Sequence, residues 1–295
     1  MKFGAIDVGT NAARLLIGEV AENNGIPFIN KVSYTRIPLR LGMDVFERGV
    51  ISDHKIIEFR KTIQAFKLIA EVFNVVDLRA CATSAMREAS NGMEVQHYIN
   101  KMTNVDIEII DGDEEASLIL SNFLFGNQEV KDDFIVIDVG GGSTEISVFK
   151  KGELTASKSF GLGTIRIMKE KAPVDVWEKS REWVMKKTKS GKAVKVFATG
   201  GNINKAHKML GKKSQETIGI KEFRELAIKL RAMTPKERIN EFKLKTDRAD
   251  VIATACDIYL HLFEAIGCDE IAVPKIGLSD GIIHNLHRKH QIAAS

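Results

Sequence analysis

The chain is poor in cysteine: Cys81, Cys256 and Cys268 are its three, and no two of them form a CxxC pair. Each lies among apolar neighbours, which excludes a cysteine-ligated metal or a disulfide framework and suits reduced core thiols in a cytoplasmic setting. No apolar run approaches the roughly 18 residues of a membrane-spanning helix. The N-terminus enters a strand pattern directly, without the basic, apolar and small segments of a leader, so no membrane partner is expected. A GxxxxGKS/T phosphate loop, a GxSxG elbow and an HExxH helix are also missing, which argues against those three chemistries. There are no low-complexity tracts. The net charge of +4 and pI near 8.8 are too mild to imply nucleic acid. They still suit a small polyanionic substrate if the basic groups gather in one cleft.

What is present is enough for two domains: 295 residues, 44% hydrophobic and 28% charged. The segment from Phe3 to Ile37 reads as strands, with Asn23-Asn24-Gly25 as a hairpin turn. Apolar residues from Ser52 to Phe73 recur at helical period, with Ser52 or Asp53 as N-cap. Strand (Leu78–Cys81), helix (from Ser84), strand (Val105–Ile110) and helix (Asp113–Phe125) then alternate, as in a sheet with covering helices. The polar stretch Asn127–Asp133 is the expected junction. Three antiparallel strands follow at Phe134–Asp138, Thr144–Phe149 and Glu153–Phe160. Helices are expected near 173–188, 201–209, 220–231 and 247–266, with strands at Lys195–Ala198 and Glu270–Val273. The shared βββ-α-β-α order is a weak internal repeat. The expected domains are 1–128 and 129–295, with packing of the last helix back on the first domain left open.

Two acid-and-glycine segments carry most of the chemistry. Ala5-Ile6-Asp7-Val8-Gly9-Thr10-Asn11 and Val136-Ile137-Asp138-Val139-Gly140-Gly141-Gly142-Ser143-Thr144-Glu145 each read as a buried strand, an Asp at its end, a turn, and a second strand. Glycine lets backbone approach a ligand closely, and successive turn amides can cradle an anion. An Asp at the strand end can hold hydrated Mg²⁺ or orient a water. Glu145, if it points to the side of Asp138, can share that ion. Thr199-Gly200-Gly201 precedes a helix, a ready phosphate site.

Other residues are more open. Arg87, placed in a first helical turn, opposes the helix dipole and is explained by a nearby anion, by a salt bridge to Glu88 or Glu94, or by a solvent-facing side chain. Asp111 as N-cap would form a capping box with Glu114, leaving Glu115 as the freer carboxylate and a candidate general base. The Ser159-Phe160-Gly161-Leu162-Gly163-Thr164 turn fits either a ligand loop or a plain turn. His284, His287 and His290 read as an exposed helix face rather than a metal site.

The chain resembles the exopolyphosphatase/guanosine pentaphosphate phosphohydrolase family. The matching stretches are Ile6–Asn11, Ala82–Ala89, Gly112–Ala116, Asp138–Glu145, Thr199–Gly201, Arg248–Ile252 and Gly277–Gly281, in family order. The resemblance implies an α/β fold of two ribonuclease-H-like domains around a central cleft, of the actin, Hsp70 and sugar-kinase superfamily. It implies Mg²⁺-dependent release of terminal phosphate from inorganic polyphosphate, and also from guanosine pentaphosphate. Glu115 would be the catalytic carboxylate, with Glu114 as second choice and Glu145 assisting. Asp7, Asp138 and Glu145 would hold the metal. Gly9, Thr10, Asn11, Arg14, Arg87, Gly140, Gly141, Gly142, Ser143, Gly200 and Gly201 would bind phosphate. Domain closure would align these parts.

The first loop departs from the family's Gly-Ser-Asn-Ser: Thr10 keeps a hydroxyl and Ala12 loses one. Its late Gly-Leu-Arg-Glu-Gly is here Gly277-Leu278-Ser279-Asp280-Gly281, without the cation, and the chain length matches the short two-domain form. Two alternatives remain at this level: a non-catalytic binder of guanosine polyphosphates or polyphosphate, and an ATP-dependent small-molecule kinase. A homodimer is compatible with the second half's helices.

Overall fold

The structure is a computed structural model and describes residues 1–23, 26–125, 132–188 and 194–294. The chain divides into two compact units, Met1–Glu129 with Ile276–Ser295, and Val130–Lys275. The expected turn residues Asn24 and Gly25 lie outside the described residues, as does the expected junction up to residue 131.

The first unit opens with β1 (Phe3–Val8), β2 (Ala13–Asn23) and β3 (Ile26–Ile37). It continues through α1 (Leu41–Arg48), α2 (Asp53–Val72), β4 (Asp77–Ala82), α3 (Ser84–Glu88), α4 (Gly92–Thr103), β5 (Ile107–Ile109) and α5 (Gly112–Phe125). Its sheet runs β3-β2-β1-β4-β5. β1 is antiparallel to β2 and parallel to β4. All six residues of β1 are buried, as a central strand covered on both faces requires.

Three local features add to or change what the sequence suggested. The helix from Ser84 is two helices, because the Asn91 side chain accepts from Ile51 N–H and donates to Ile51 C=O, both at 2.9 Å, and pins the chain between them. Ser52 occupies the N-cap of α2, but its hydroxyl donates to Asp44 instead of capping the helix. The short α1 had no sequence-level counterpart. It starts after Arg40, which takes a left-handed conformation, and buries Leu41, Val45 and Phe46.

The second unit comprises β6 (Phe134–Val139), β7 (Thr144–Lys150), β8 (Glu153–Phe160), α6 (Thr164–Met168), α7 (Val176–Thr188), β9 (Lys195–Thr199) and α8 (Gly201–Met209). It is completed by β10 (Ile218–Gly219), α9 (Ile220–Ala232), α10 (Pro235–Phe242), α11 (Thr246–Ala249), α12 (Ile252–Ile266) and β11 (Glu270–Ile271). The main sheet runs β8-β7-β6-β9, with β6 antiparallel to β7 and parallel to β9. This repeats the β3-β2-β1-β4 order of the first unit, so the internal repeat is a repeat of topology. The helix expected over 247–266 is interrupted at Asp250–Val251, between α11 and α12. α12 is the central helix of this unit, burying Cys256, Tyr259 and Phe263.

The last helix, α13 (Leu278–Ala294), belongs to the first unit, where it packs on α5 and β1. Ile282, Ile283 and Leu286 join Phe3, Leu16, Leu118 and Ile119 in one apolar cluster. The three histidines are therefore not an exposed face. The rings of His287 and His290 meet Phe3 edge-on, and His290 Nε2 lies 3.1 Å from Asp77. All three are half-buried, His287 and His290 because α13 presents them to β1.

Candidate functional site

In the second unit the turn after β6 has its carbonyls engaged by other parts of the chain. Gly140 N–H donates to Ser143 C=O at 2.9 Å, closing the turn. The carbonyls are taken by α6: Thr164 N–H donates to Gly140 C=O, and Ile165 and Arg166 N–H donate to Gly141 C=O. The Arg166 side chain holds Gly142 C=O at 2.6 Å. Among the described residues, the N–H groups of Gly141, Gly142 and Ser143 donate no hydrogen bond to a protein acceptor. Carbonyls bound on one side and amides presented on the other make an anion cradle. The Ser159–Thr164 turn, left open by sequence, is the brace behind that cradle. A side chain at Gly163 would meet the backbone of Gly142 at 2.2 Å, so only glycine lets the two turns touch.

The first unit uses the same device. Gly9 N–H donates to Ala12 C=O at 3.1 Å. Arg40 N–H and Gly42 N–H, where α1 begins, bind the carbonyls of Asn11 and Thr10. The unforeseen helix α1 thus does for the Asp7 turn what α6 does for the Asp138 turn.

The carboxylates differ between the units. Asp138 and Glu145 stand directly opposite each other in the β6–β7 register, so both project on one face of the sheet. Glu145 is buried and accepts from the hydroxyls of Ser143 (2.6 Å) and Ser159 (2.9 Å). At the same place in the first unit Asp7 faces Arg14, and the two form an ion pair at 2.6 Å. The expected metal residue Asp7 and the expected phosphate contact Arg14 are thus engaged with each other.

Arg87 and Glu115 also meet. The guanidinium donates to Ile110 C=O at 2.6 Å and to Glu115 at 3.3 Å. α3 is only five residues long, so the dipole argument for Arg87 does not hold, and its partner is Glu115 rather than Glu88 or Glu94. The capping box at α5 is half formed. Glu114 N–H donates to Asp111 at 2.8 Å, but the Glu114 side chain turns to Arg79 at 2.6 Å. Glu114 is exposed, and Glu115 is the more enclosed of the two, paired rather than freer.

β9 ends at Thr199 and runs into α8 through Gly200, whose φ of 109° is a left-handed backbone that side chains rarely adopt. Arg248, from α11, donates to Gly201 C=O and Asn202. It was not among the expected site residues, although its Arg-Ala-Asp stretch was a sequence match. Burial, then the charges of Lys208 and Arg248, hold the Lys205 ammonium below its usual range.

Among the described residues, no group of three or more His, Cys, Asp or Glu could hold a metal. The Asp138–Glu145 pair still fits Mg²⁺, which uses one or two carboxylates and keeps its other positions for water and phosphate oxygens. The motif Gly277–Gly281 proves structural in the first unit. Asp280 accepts from Gly277 N–H at 3.0 Å and pairs with Lys31 at 2.6 Å, and Ser279 is buried.

Residues 19–290 match the model of the Ppx/GppA phosphatase family. Exopolyphosphatase 1 of Mycobacterium bovis is 25% identical over 303 residues, covering 96% of this chain and 87% of that one. A bifunctional 3-dehydroquinate synthase/phosphatase of Fusobacterium nucleatum is 30% identical over 173 residues, which cover 55% of this chain and 25% of the relative's length. The crystal structure of an exopolyphosphatase from Cytophaga hutchinsonii superposes with a TM-score of 0.83 at 24% identity, covering 98% of each chain. That likeness shows the fold, a two-unit α/β architecture.

Proposed function

Because the chain belongs to the Ppx/GppA phosphatase family, we propose that it hydrolyses the terminal phosphoanhydride of inorganic polyphosphate, and of guanosine pentaphosphate as a second substrate. The observation that carries this reading is the Gly140–Ser143 turn, with its amides presented, beside the paired carboxylates Asp138 and Glu145. Donors fixed before the reaction stabilise charge on a transferred phosphoryl group without reorganisation, and one such donor is worth about 3 kcal/mol.

Asp138 and Glu145 are the residues that would hold Mg²⁺, which when bound neutralises phosphate oxygens. Ser143 and Ser159 fix the Glu145 carboxylate in its rotamer. Glu115 takes the proton of the attacking water, and Arg87 orients Glu115 from the side. The water oxygen bonds to the terminal phosphorus as the anhydride P–O bond breaks, and the shortened chain leaves as an anion. Asp7 serves as the partner that orients Arg14 and takes no part in holding the metal.

The test is phosphate release from medium-chain polyphosphate and from guanosine pentaphosphate in parallel, with Mg²⁺ and with EDTA. Mg²⁺-dependent release that falls by about 10²-fold or more in Glu115→Gln is the expected result. Binding of either compound by folded protein without release would replace this reading with a non-catalytic binder.

A further inference from the structure

The β6 and β9 strands pair in parallel up to Asp138 and Thr199, and then separate. Each runs straight into a glycine turn, Gly140–Ser143 after β6 and Gly200–Gly201 after β9. Where parallel strands part, the next amide and carbonyl lose their ladder partners and need replacements. One side chain supplies both. The hydroxyl of Tyr259, from α12, accepts from Val139 N–H at 3.1 Å and donates to Thr199 C=O. The ring is fully buried and stacks on Phe263, with centroids 5.6 Å apart.

We propose that Tyr259 is a positioning residue that fixes the spacing of the two glycine turns by acting as an extra rung between β6 and β9. The assignment rests on the phosphohydrolase reading above for its consequence in turnover, but not for its geometry. A further observation ties the rung to the chemistry. A side chain at Gly200 would lie 2.7 Å from the Asp138 carboxylate and 3.2 Å from the Tyr259 hydroxyl. Asp138, the rung and the second turn are therefore packed against one another with no room for a methyl group. A phenol keeps its proton at neutral pH, so Tyr259 is able to donate to Thr199. A displacement of about 1 Å at such a site costs about 10²-fold in rate, so an anchor that touches no substrate can still govern turnover.

Tyr259→Phe removes the hydroxyl and keeps the ring. Two readouts are taken on the full chain: amide hydrogen exchange by peptide, and phosphate release from polyphosphate with Mg²⁺. The expected result is an exchange increase of tenfold or more confined to the peptides holding Val139–Ser143 and Thr199–Asn202, with a fall in kcat of at least tenfold. Gly200→Ala, which keeps the tyrosine but crowds its hydroxyl, serves as the second variant and gives the same two-turn signature. Unchanged exchange at the two turns overturns the proposal. So does an increase spread evenly over the unit, which marks a general packing role, and so does unchanged kcat in Tyr259→Phe beside an active wild type. If the wild type releases no phosphate, the hydrolase reading fails by itself and the exchange pattern alone decides the role of Tyr259.

Discussion

Glu145 faces Asp138 across the β6–β7 hairpin, and 131 positions earlier the equivalent partner of Asp7 is Arg14. The duplicated turn therefore carries two different charge designs. In the first unit the strand-end Asp is balanced by a guanidinium. In the second it stands beside another carboxylate, and two acids side by side favour a bound cation. The repeat supplies one scaffold twice, and a single position decides which ion each copy suits.

Asp138→Asn and Glu145→Gln follow from that difference. Each leaves one carboxylate for the ion, so the Mg²⁺ concentration for half-maximal phosphate release is expected to rise about 10- to 100-fold. Arg14→Gln, which disturbs the balanced copy, is expected to leave the Mg²⁺ midpoint in place. A titration of activity against Mg²⁺ separates the cases, and equal midpoints in all three variants would remove Asp138 and Glu145 from the metal site.

Arg87 predicts a split between charge and shape. Its guanidinium reaches both Ile110 C=O and Glu115, and lysine keeps the charge but lacks the planar fork. Arg87→Lys is expected to lower kcat by about tenfold or more, in line with the cost of a misaligned catalytic group. Stability should fall by no more than about 1 kcal/mol, because the pair is partly solvated. Steady-state rates and urea unfolding on the same samples give both numbers. Normal kcat in Arg87→Lys would sink its orienting role.

Much of this site could be read from the chain. The two turns and the strands that bear them were legible because Asp, Gly and hydroxyl residues follow short buried runs, a pattern with few other uses. The braces were not. α1 and α6 are short, and what makes them matter is backbone pairing with turns far away in sequence, which leaves no periodicity to detect. Partner choice was also hidden. Nothing in the order of residues says that Glu114 turns to Arg79 while Glu115 meets Arg87. The histidines of α13 looked exposed because their i, i+3, i+6 spacing is that of any helix face, and only the return of α13 to β1 buries them.

That burial has a consequence for pH. Burial, and then the charges of Arg288 and His287, push His284 down to about 4. His287 is lowered by burial, the N-terminal amine and His290. Phe3 of β1 and Asp77 of β4 are the facing groups across the helix, and Asp77 takes His290. Both lowered rings are neutral in the fold and protonate more readily once it opens. The contribution of His284 is fully present above about pH 6.5 and is lost as the pH falls from there toward 4, and that of His287 is lost in the same direction. Urea unfolding at pH 7 and pH 5 should differ by about 1 kcal/mol for His284 after discounting for its partial exposure. His284→Gln should remove that part of the difference, and an unchanged difference would assign the pH dependence elsewhere.

The two glycines of the Gly277–Gly281 stretch should behave oppositely when replaced by alanine. A side chain at Gly281 would sit 1.8 Å from Leu118 C=O, so α13 touches the backbone of α5 there. Gly277 has nothing within 4 Å of that position. Gly281→Ala must push the two helices apart, at a cost of about 1–3 kcal/mol. Leu118 lies one turn beyond Glu115 on α5, so the shift carries with it the carboxylate proposed as the base, and kcat is expected to fall as well. Gly277→Ala should stay within about 0.5 kcal/mol and keep wild-type turnover. Thermal unfolding and phosphate release on the pair decide the matter. Equal behaviour of the two variants would mean that the close approach of α13 is not what positions Glu115.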